Sequence, residues 1–176
     1  MSLVKRYRFL LLLVIVMGIM MAVNRELGLK AVSITGFSFK EMALVLPPIF
    51  ILLGLLDVWV PREIMMRYMG EGSKLKGIIL AFIIGSAAAG PLYGAFPIAA
   101  MFMKKGVKFS NVLIFIGAWS TTKIPMFLFE LSALGARFAI TRLLVNIPSI
   151  ILIAYILSAI VSQEEVKEIY TRAQSM

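Results

Sequence analysis

The chain has no cysteine and no histidine among its 176 residues, and its only aspartate is Asp57. Those absences exclude thiolate nucleophiles, disulfides, haem attachment, imidazole proton relays and zinc sites of the usual ligand type. An aspartate dyad within one chain is excluded as well. Carboxylates, lysine, hydroxyls and the backbone are left to carry chemistry, and neither a metal nor a cofactor is expected. Polar residues are scarce too: 61% of the chain is hydrophobic and the mean hydropathy is +0.97, against the roughly 45–50% apolar share of a soluble domain. An all-α integral membrane protein follows, with room for one domain of four to five transmembrane helices of about 20 residues each.

Positive charge is plentiful. The formal charge is +9, from 18 Lys and Arg against 9 Asp and Glu, and it flanks the apolar runs rather than forming one basic face. The expected partner is the lipid bilayer, whose anionic headgroups attract juxtamembrane Lys and Arg; nucleic acid is not expected.

Along the chain, Lys5, Arg6 and Arg8 precede a first apolar run, 9–23, read as an uncleaved span because no small-residue cleavage site follows it. A polar loop is expected over 24–41, ending in the capping-box pattern Ser38-Phe39-Lys40-Glu41. The second span, 42–60, contains Pro47 and Pro48 and ends near Asp57 and Trp59. A short amphipathic segment, 61–70, suits a helix lying in the membrane interface. Two units of similar construction follow, 77–103 and 109–134, each an apolar limb, a break and a second limb. A last span, 143–161, and a polar tail, 162–176, opened by a second capping box at Ser162 to Glu165, complete the chain.

The centre of this organisation is the stretch from Gly85 to Pro97, GSAAAGPLYGAFP, which breaks a long apolar run with three glycines and two prolines and adds no charge. In lipid every backbone N–H and C=O needs an internal partner, so a broken helix at membrane depth persists only inside protein or beside a water-filled cavity. Gly90 and Pro91 form such a break. The competing structural reading makes Gly85, Ser86, Ala89, Gly90 and Ala95 small contact residues that bring helices close.

Unit 77–103 either crosses the membrane or enters and returns on the same side. Five full crossings divide the loop cations nine against eight, the balance of a dual-topology protein; a re-entrant hairpin divides them twelve against five. The hairpin obeys the positive-inside tendency.

Lys123 is the least expected residue, placed between Trp119-Ser120-Thr121-Thr122 and Ile124-Pro125 inside an apolar unit. A buried ammonium needs a partner or water. Glu130, seven residues on, would share its helical face in an unbroken helix, and Asp57 is the other candidate to balance it; the structural alternatives, of equal weight with the functional reading, are an ion pair with Glu130 or a snorkelling lysine. Functionally, Lys123, the hydroxyls and the helix ends make a polar site suited to an anion or to proton coupling. Ser120 to Lys123 also spells S-x-x-K, the serine–lysine arrangement of some hydrolases, but the companion motifs of that class are missing.

With these residues in view the chain resembles the ArsP-type permease family. The likeness rests on Pro61-Arg62-Glu63 through Gly70, the small residues from Gly85 to Gly90, Pro97, Lys104-Lys105-Gly106, and the segment from Ala118 to Pro125. The arsenical exporters of that family carry a cysteine-rich core where this chain has Gly90-Pro91-Leu92-Tyr93-Gly94, so thiolate-bound arsenic is not the expected cargo. Longer relatives have about twice this content. The resemblance therefore implies a half-size member with one inverted-repeat-type half, and a homodimer around a midplane site.

The expected function is a multi-pass permease of the cell membrane, not an enzyme, moving a small polar or anionic solute. Its path would be lined by Gly90, Pro91, Tyr93, Gly94, Pro97, Trp119, Ser120, Thr121, Thr122, Lys123 and Pro125. The alternatives are a non-transporting membrane assembly subunit and a Ser–Lys membrane hydrolase.

Overall fold

A computed structural model describes residues 3–88 and 90–174; the side chains of residues 3–6 and of Asp57 lie outside the description. The role expected of Asp57 in balancing Lys123 therefore falls outside the described residues. All regular structure is helical, and no strand occurs among the described residues. The chain forms two compact units, 1–48 and 49–176.

In the first unit, α1 (Leu3–Val23) meets α2 (Arg25–Trp59) across the single residue Asn24. Asn24 caps α2, its Oδ1 accepting the Leu27 N–H at 3.1 Å. Gly28 lies so close to the Met21 backbone that a Cβ there would clash.

The loop expected over 24–41 is thus absent: α2 runs unbroken through it and through Ser38. Asn24 is a competent cap at the earlier position, and Leu27, Val32, Ile34, Phe37 and Phe39 keep the stretch apolar enough to continue as helix. The boundary between the units falls at Pro47-Pro48, where two consecutive backbone donors are missing.

The second unit begins with residues 49–59 of α2. There follow α3 (Arg62–Met69), which buries Met65 and Met69, then α4 (Lys74–Ala87), a single 3-10 turn at Leu92–Gly94, α5 (Ala95–Lys104), α6 (Phe109–Thr121), α7 (Ile124–Ala133), α8 (Ala136–Ile160) and α9 (Gln163–Gln174). α4 lays Gly77, Ala81 and Gly85, spaced four apart and all buried, against α6. This small-residue seam lets two backbones approach closely. A Cβ on Gly77 would strike Asn111, and one on Gly85 would strike the Phe115 carbonyl and Ala118. Start thus lies against start and end against end, so α4 and α6 run parallel.

That parallel packing fixes the path of the chain. The Lys108 N–H donates to the Met69 carbonyl at 2.9 Å, and Asn111 Nδ2 donates to Met69 O at 2.8 Å and Ser73 Oγ at 3.1 Å. The chain therefore leaves along α4 and comes back along α5 to the same end. Phe102, Phe115 and Trp119 stack edge to face beneath the hairpin, with centroids 4.9 and 5.6 Å apart in turn. Gly106, at φ 77, makes the return turn.

α8 runs back along α6 and α7, with Ile150 against Gly117. The capping box expected at Ser162 forms: Ser162 N donates to Glu165 Oε2 at 2.9 Å and Glu165 N to Ser162 Oγ at 3.2 Å; the bonds that the Ser162 N–H and hydroxyl donate to the carboxylate hold the Glu165 carboxyl below its usual range. α9 then docks on α5, its Tyr170 hydroxyl donating to the Val107 carbonyl. Burial, helped by the negative charge of Glu71, pushes the Tyr170 phenol up to about 12.

Among the described residues, three helical stretches are long and apolar enough to cross a membrane: Arg25–Leu56, Phe109–Ala133 and Ala136–Ile160. Tyr7–Val23 and Leu92–Lys104 are apolar but shorter.

Candidate functional site

The first interruption follows α4. Ala88 is extended, Gly90 sits at φ 109 and Pro91 is extended again before the 3-10 turn. A φ of that sign suits glycine; the Gly90 carbonyl is left without a helical partner, while the Pro91 carbonyl accepts the Gly94 N–H of the 3-10 turn at 3.1 Å.

The second interruption lies between α6 and α7. Thr122 and Lys123 leave helical geometry, and Pro125 takes the second position of α7. In a continuous helix the residue four after Thr121 would donate to its carbonyl. That residue is Pro125, which has no N–H to give. The freed Thr121 carbonyl is instead met by Arg142 Nη2 from α8, at 2.9 Å.

The two breaks touch. Trp119 Nε1 donates to the Pro91 carbonyl at 3.2 Å, the Lys123 ammonium donates to the Gly90 carbonyl, and the hydroxyls of Ser86 and Thr122 share a bond of 2.9 Å. The Gly90 carbonyl, freed by the first break, and the Pro91 carbonyl beside it are thus both met by side chains from around the second. Gly94 lies against Trp119 and Ile49, and a Cβ there would have to push aside the end of the Ile49 side chain. The Tyr93 hydroxyl is buried without a protein partner.

Depth follows from helix rise. α6 has 13 residues, about 20 Å of helix, so the crossing lies about that far from the start of the Phe109–Ala133 stretch, which is long and apolar enough to cross a membrane.

Glu130 is engaged elsewhere than expected. Its Oε2 accepts from Arg142 Nε at 2.7 Å, with the Glu130 side chain 6% exposed and that of Arg142 25% exposed. No Lys123–Glu130 pair forms among the described residues, because Arg142 from α8 reaches Glu130 across the Gly135 turn while Lys123 is drawn to Gly90. Arg142, read from the sequence as a loop cation, is thus a site residue that went unnoticed. The only signal for it was its position in the returning helix, seven residues beyond Gly135, with Glu130 five before.

The remaining residues divide. Thr121 and Thr122 turn their hydroxyls onto the carbonyls of Gly117 and Ala118 within α6. Ser120 is exposed and makes no contact with Lys123 among the described residues, which leaves the S-x-x-K spacing without its geometry. Pro125 is exposed. Pro97 lies within α5, away from the crossing, on an apolar crevice of about 430 Å³ shared with Phe50, Phe96, Met101 and Lys104. No group of three or more acidic, His or Cys residues able to hold a metal occurs among the described residues.

Two crossed, interrupted helices with a lysine and an arginine at the crossing, in a chain this apolar, define a transporter-like membrane protein. The model of the ArsP-type predicted permease family matches residues 27–175, and the chain belongs to that family. No curated protein and no solved structure matches it.

Proposed function

We propose that the chain is a multi-pass plasma-membrane permease that works as a homodimer and moves a small polar or anionic solute past the crossed breaks. The observation that carries this reading is the Lys123 bond to Gly90: an ammonium at membrane depth rests on a neutral carbonyl, while Glu130, the nearby carboxylate, is taken by Arg142. The crossing holds an excess of positive charge over the described acidic groups, and Lys123 can exchange a carbonyl for an anionic solute.

The path of the chain supports a re-entrant hairpin over 77–103. Lys104, Lys105, Lys108, Lys167 and Arg172 belong to the same end as Arg62, and Arg137 to the opposite one, the asymmetry expected when that end faces the cytoplasm. A cysteine-free chain makes the test clean. Single cysteines replacing Gly72 and Lys104, both exposed, should label with an impermeant thiol reagent from one side only, and from the same side. Labelling from opposite sides would give unit 77–103 a full crossing.

The second copy of a homodimer supplies the second of the two repeats that transporters place around a midplane site. The exposed apolar residues Phe96, Leu128 and Phe129 are available to it or to lipid. The direct test of function is Lys123→Met in proteoliposomes containing protein shown to be folded and inserted. Uptake of small anions should fall by about tenfold or more, the loss of one charged bond. Unchanged flux would remove Lys123 from the path.

A further inference from the structure

The end of the second unit that bears α3 and α9 holds a cavity of about 290 Å³, bounded by the first turn of α6, the last turns of α8 and the start of α9. Glu71, Lys108, Ser110, Ser158 and Gln163 are among its lining residues. It belongs to neither break.

Three observations there point to a ligand. α6 starts after Lys108 with no side-chain cap: the Asn111 and Val112 N–H groups donate to the Lys108 carbonyl, but those of Phe109 and Ser110 have neither a helical partner nor a cap. Ser110 is 1% exposed and its hydroxyl has no protein partner. A buried hydroxyl left in that state costs free energy unless something bonds it. Lys108 Nζ stands 3.1 Å from Glu71 Oε2, and the Glu71 side chain is 81% exposed and free to turn.

An uncapped helix N-terminus beside a lysine and an unbonded hydroxyl suits phosphate oxygens. A bare phosphate, however, would meet the Glu71 carboxylate. A ligand carrying an ammonium next to its phosphate removes that conflict, because the Lys108–Glu71 pair is then exchanged for two new ones. We propose that this cavity binds a phosphate–ammonium zwitterion of the phosphoethanolamine class. The phosphate takes Lys108, the Ser110 hydroxyl and the α6 N-terminus; the ammonium takes Glu71. The amphipathic helices α3 and α9 flank this end as interfacial helices do, which puts the cavity at headgroup depth. A phosphatidylethanolamine headgroup and soluble phosphoethanolamine share the chemistry.

The test is thermal unfolding of the full chain, delipidated in detergent. Phosphatidylethanolamine, phosphatidylglycerol, which has the phosphodiester without the ammonium, and soluble phosphoethanolamine are titrated separately. Phosphatidylethanolamine should raise the midpoint at concentrations where phosphatidylglycerol does not. Ser110→Ala and Lys108→Gln should each weaken that effect about tenfold, and Glu71→Gln should erase the preference between the two lipids. Midpoints without ligand report whether each variant folds; Lys108 and Glu71 lie near the surface, so their variants stand even if Ser110→Ala does not. Soluble phosphoethanolamine acting as well as the lipid would make the solute the source while keeping the chemistry. Equal stabilisation by both lipids, or a phosphatidylethanolamine effect untouched in Lys108→Gln, would overturn the proposal.

Discussion

The two breaks solve one problem by different means. At Gly90-Pro91 the backbone alone makes the interruption: a glycine at positive φ, a proline without an N–H, and no charge within the segment. At Thr122-Lys123 a proline again removes a donor, but the orphaned carbonyl of Thr121 is satisfied by Arg142, which is itself held by Glu130. The first break gives out acceptors and the second surrounds itself with donors. Their meeting, Lys123 on Gly90 and Trp119 on Pro91, is complementary for that reason. An uncharged element thus sits against one braced by an ion pair.

The largest effect should come from breaking the brace. Arg142→Leu leaves Glu130, 4% exposed, without its cation and Thr121 without its donor. A loss of about 3 kcal/mol is expected, because removing one partner of a buried pair strands the other. Thermal or denaturant unfolding in detergent measures it. The double variant Arg142→Leu, Glu130→Leu should recover most of that loss. If the single variant unfolds no more easily than the parent, the second break is not braced by charge and the contrast between the two breaks disappears.

Both interruptions were legible in the chain because glycine and proline act through the backbone, and their positions, Gly90, Pro91 and Pro125, survive in the fold. Pairing across elements was less accessible. Helical spacing matches Lys123 with Glu130, yet the break at Lys123 destroys that spacing, and the Gly135 turn brings Arg142 to Glu130 instead. The start of α2 was misplaced for a related reason. Ser38 to Glu41 has the form of a capping box, but a cap terminates a helix only if the residues before it cannot be helical, and nothing between Asn24 and Ser38 prevents it. The same pattern at Ser162 does cap α9, where Val161 is extended.

A smaller effect should come from stiffening the first break. Gly90→Ala places a Cβ on a backbone at φ 109, which costs about 1–2 kcal/mol for a residue other than glycine. The Lys123 ammonium rests here on a neutral carbonyl and not on a counter-charge, so Gly90→Ala removes no ion pair and the loss should appear in the unfolding midpoint without any change in its dependence on salt. Arg142→Leu, which removes an ion pair, should flatten that dependence. The two variants therefore separate conformational support from electrostatic support at neighbouring points. A salt-sensitive Gly90→Ala would mean that the two breaks are one electrostatic unit.

The smallest effect is expected far from both breaks and only in alkali. Burial pushes the Tyr170 phenol from about 10 up to about 12. A folded pKa raised above the unfolded one favours the protonated phenol, so its stabilising contribution is complete below pH 10 and is lost as the pH rises from about 10 to 12. The affected contact is α9 on the Val107 carbonyl. Tyr170→Phe should leave neutral-pH stability within about 1 kcal/mol of the parent, the net worth of one hydrogen bond, and should remove this alkaline loss. The sharpest readout is proteolysis after Lys167 or Arg172, both on α9. In the parent it should accelerate across that pH window, and in Tyr170→Phe it should not, while Arg142→Leu keeps the parent's profile. An alkaline profile altered by Arg142→Leu would tie the polar end to the second break, and the crossing could no longer be treated as a self-contained element.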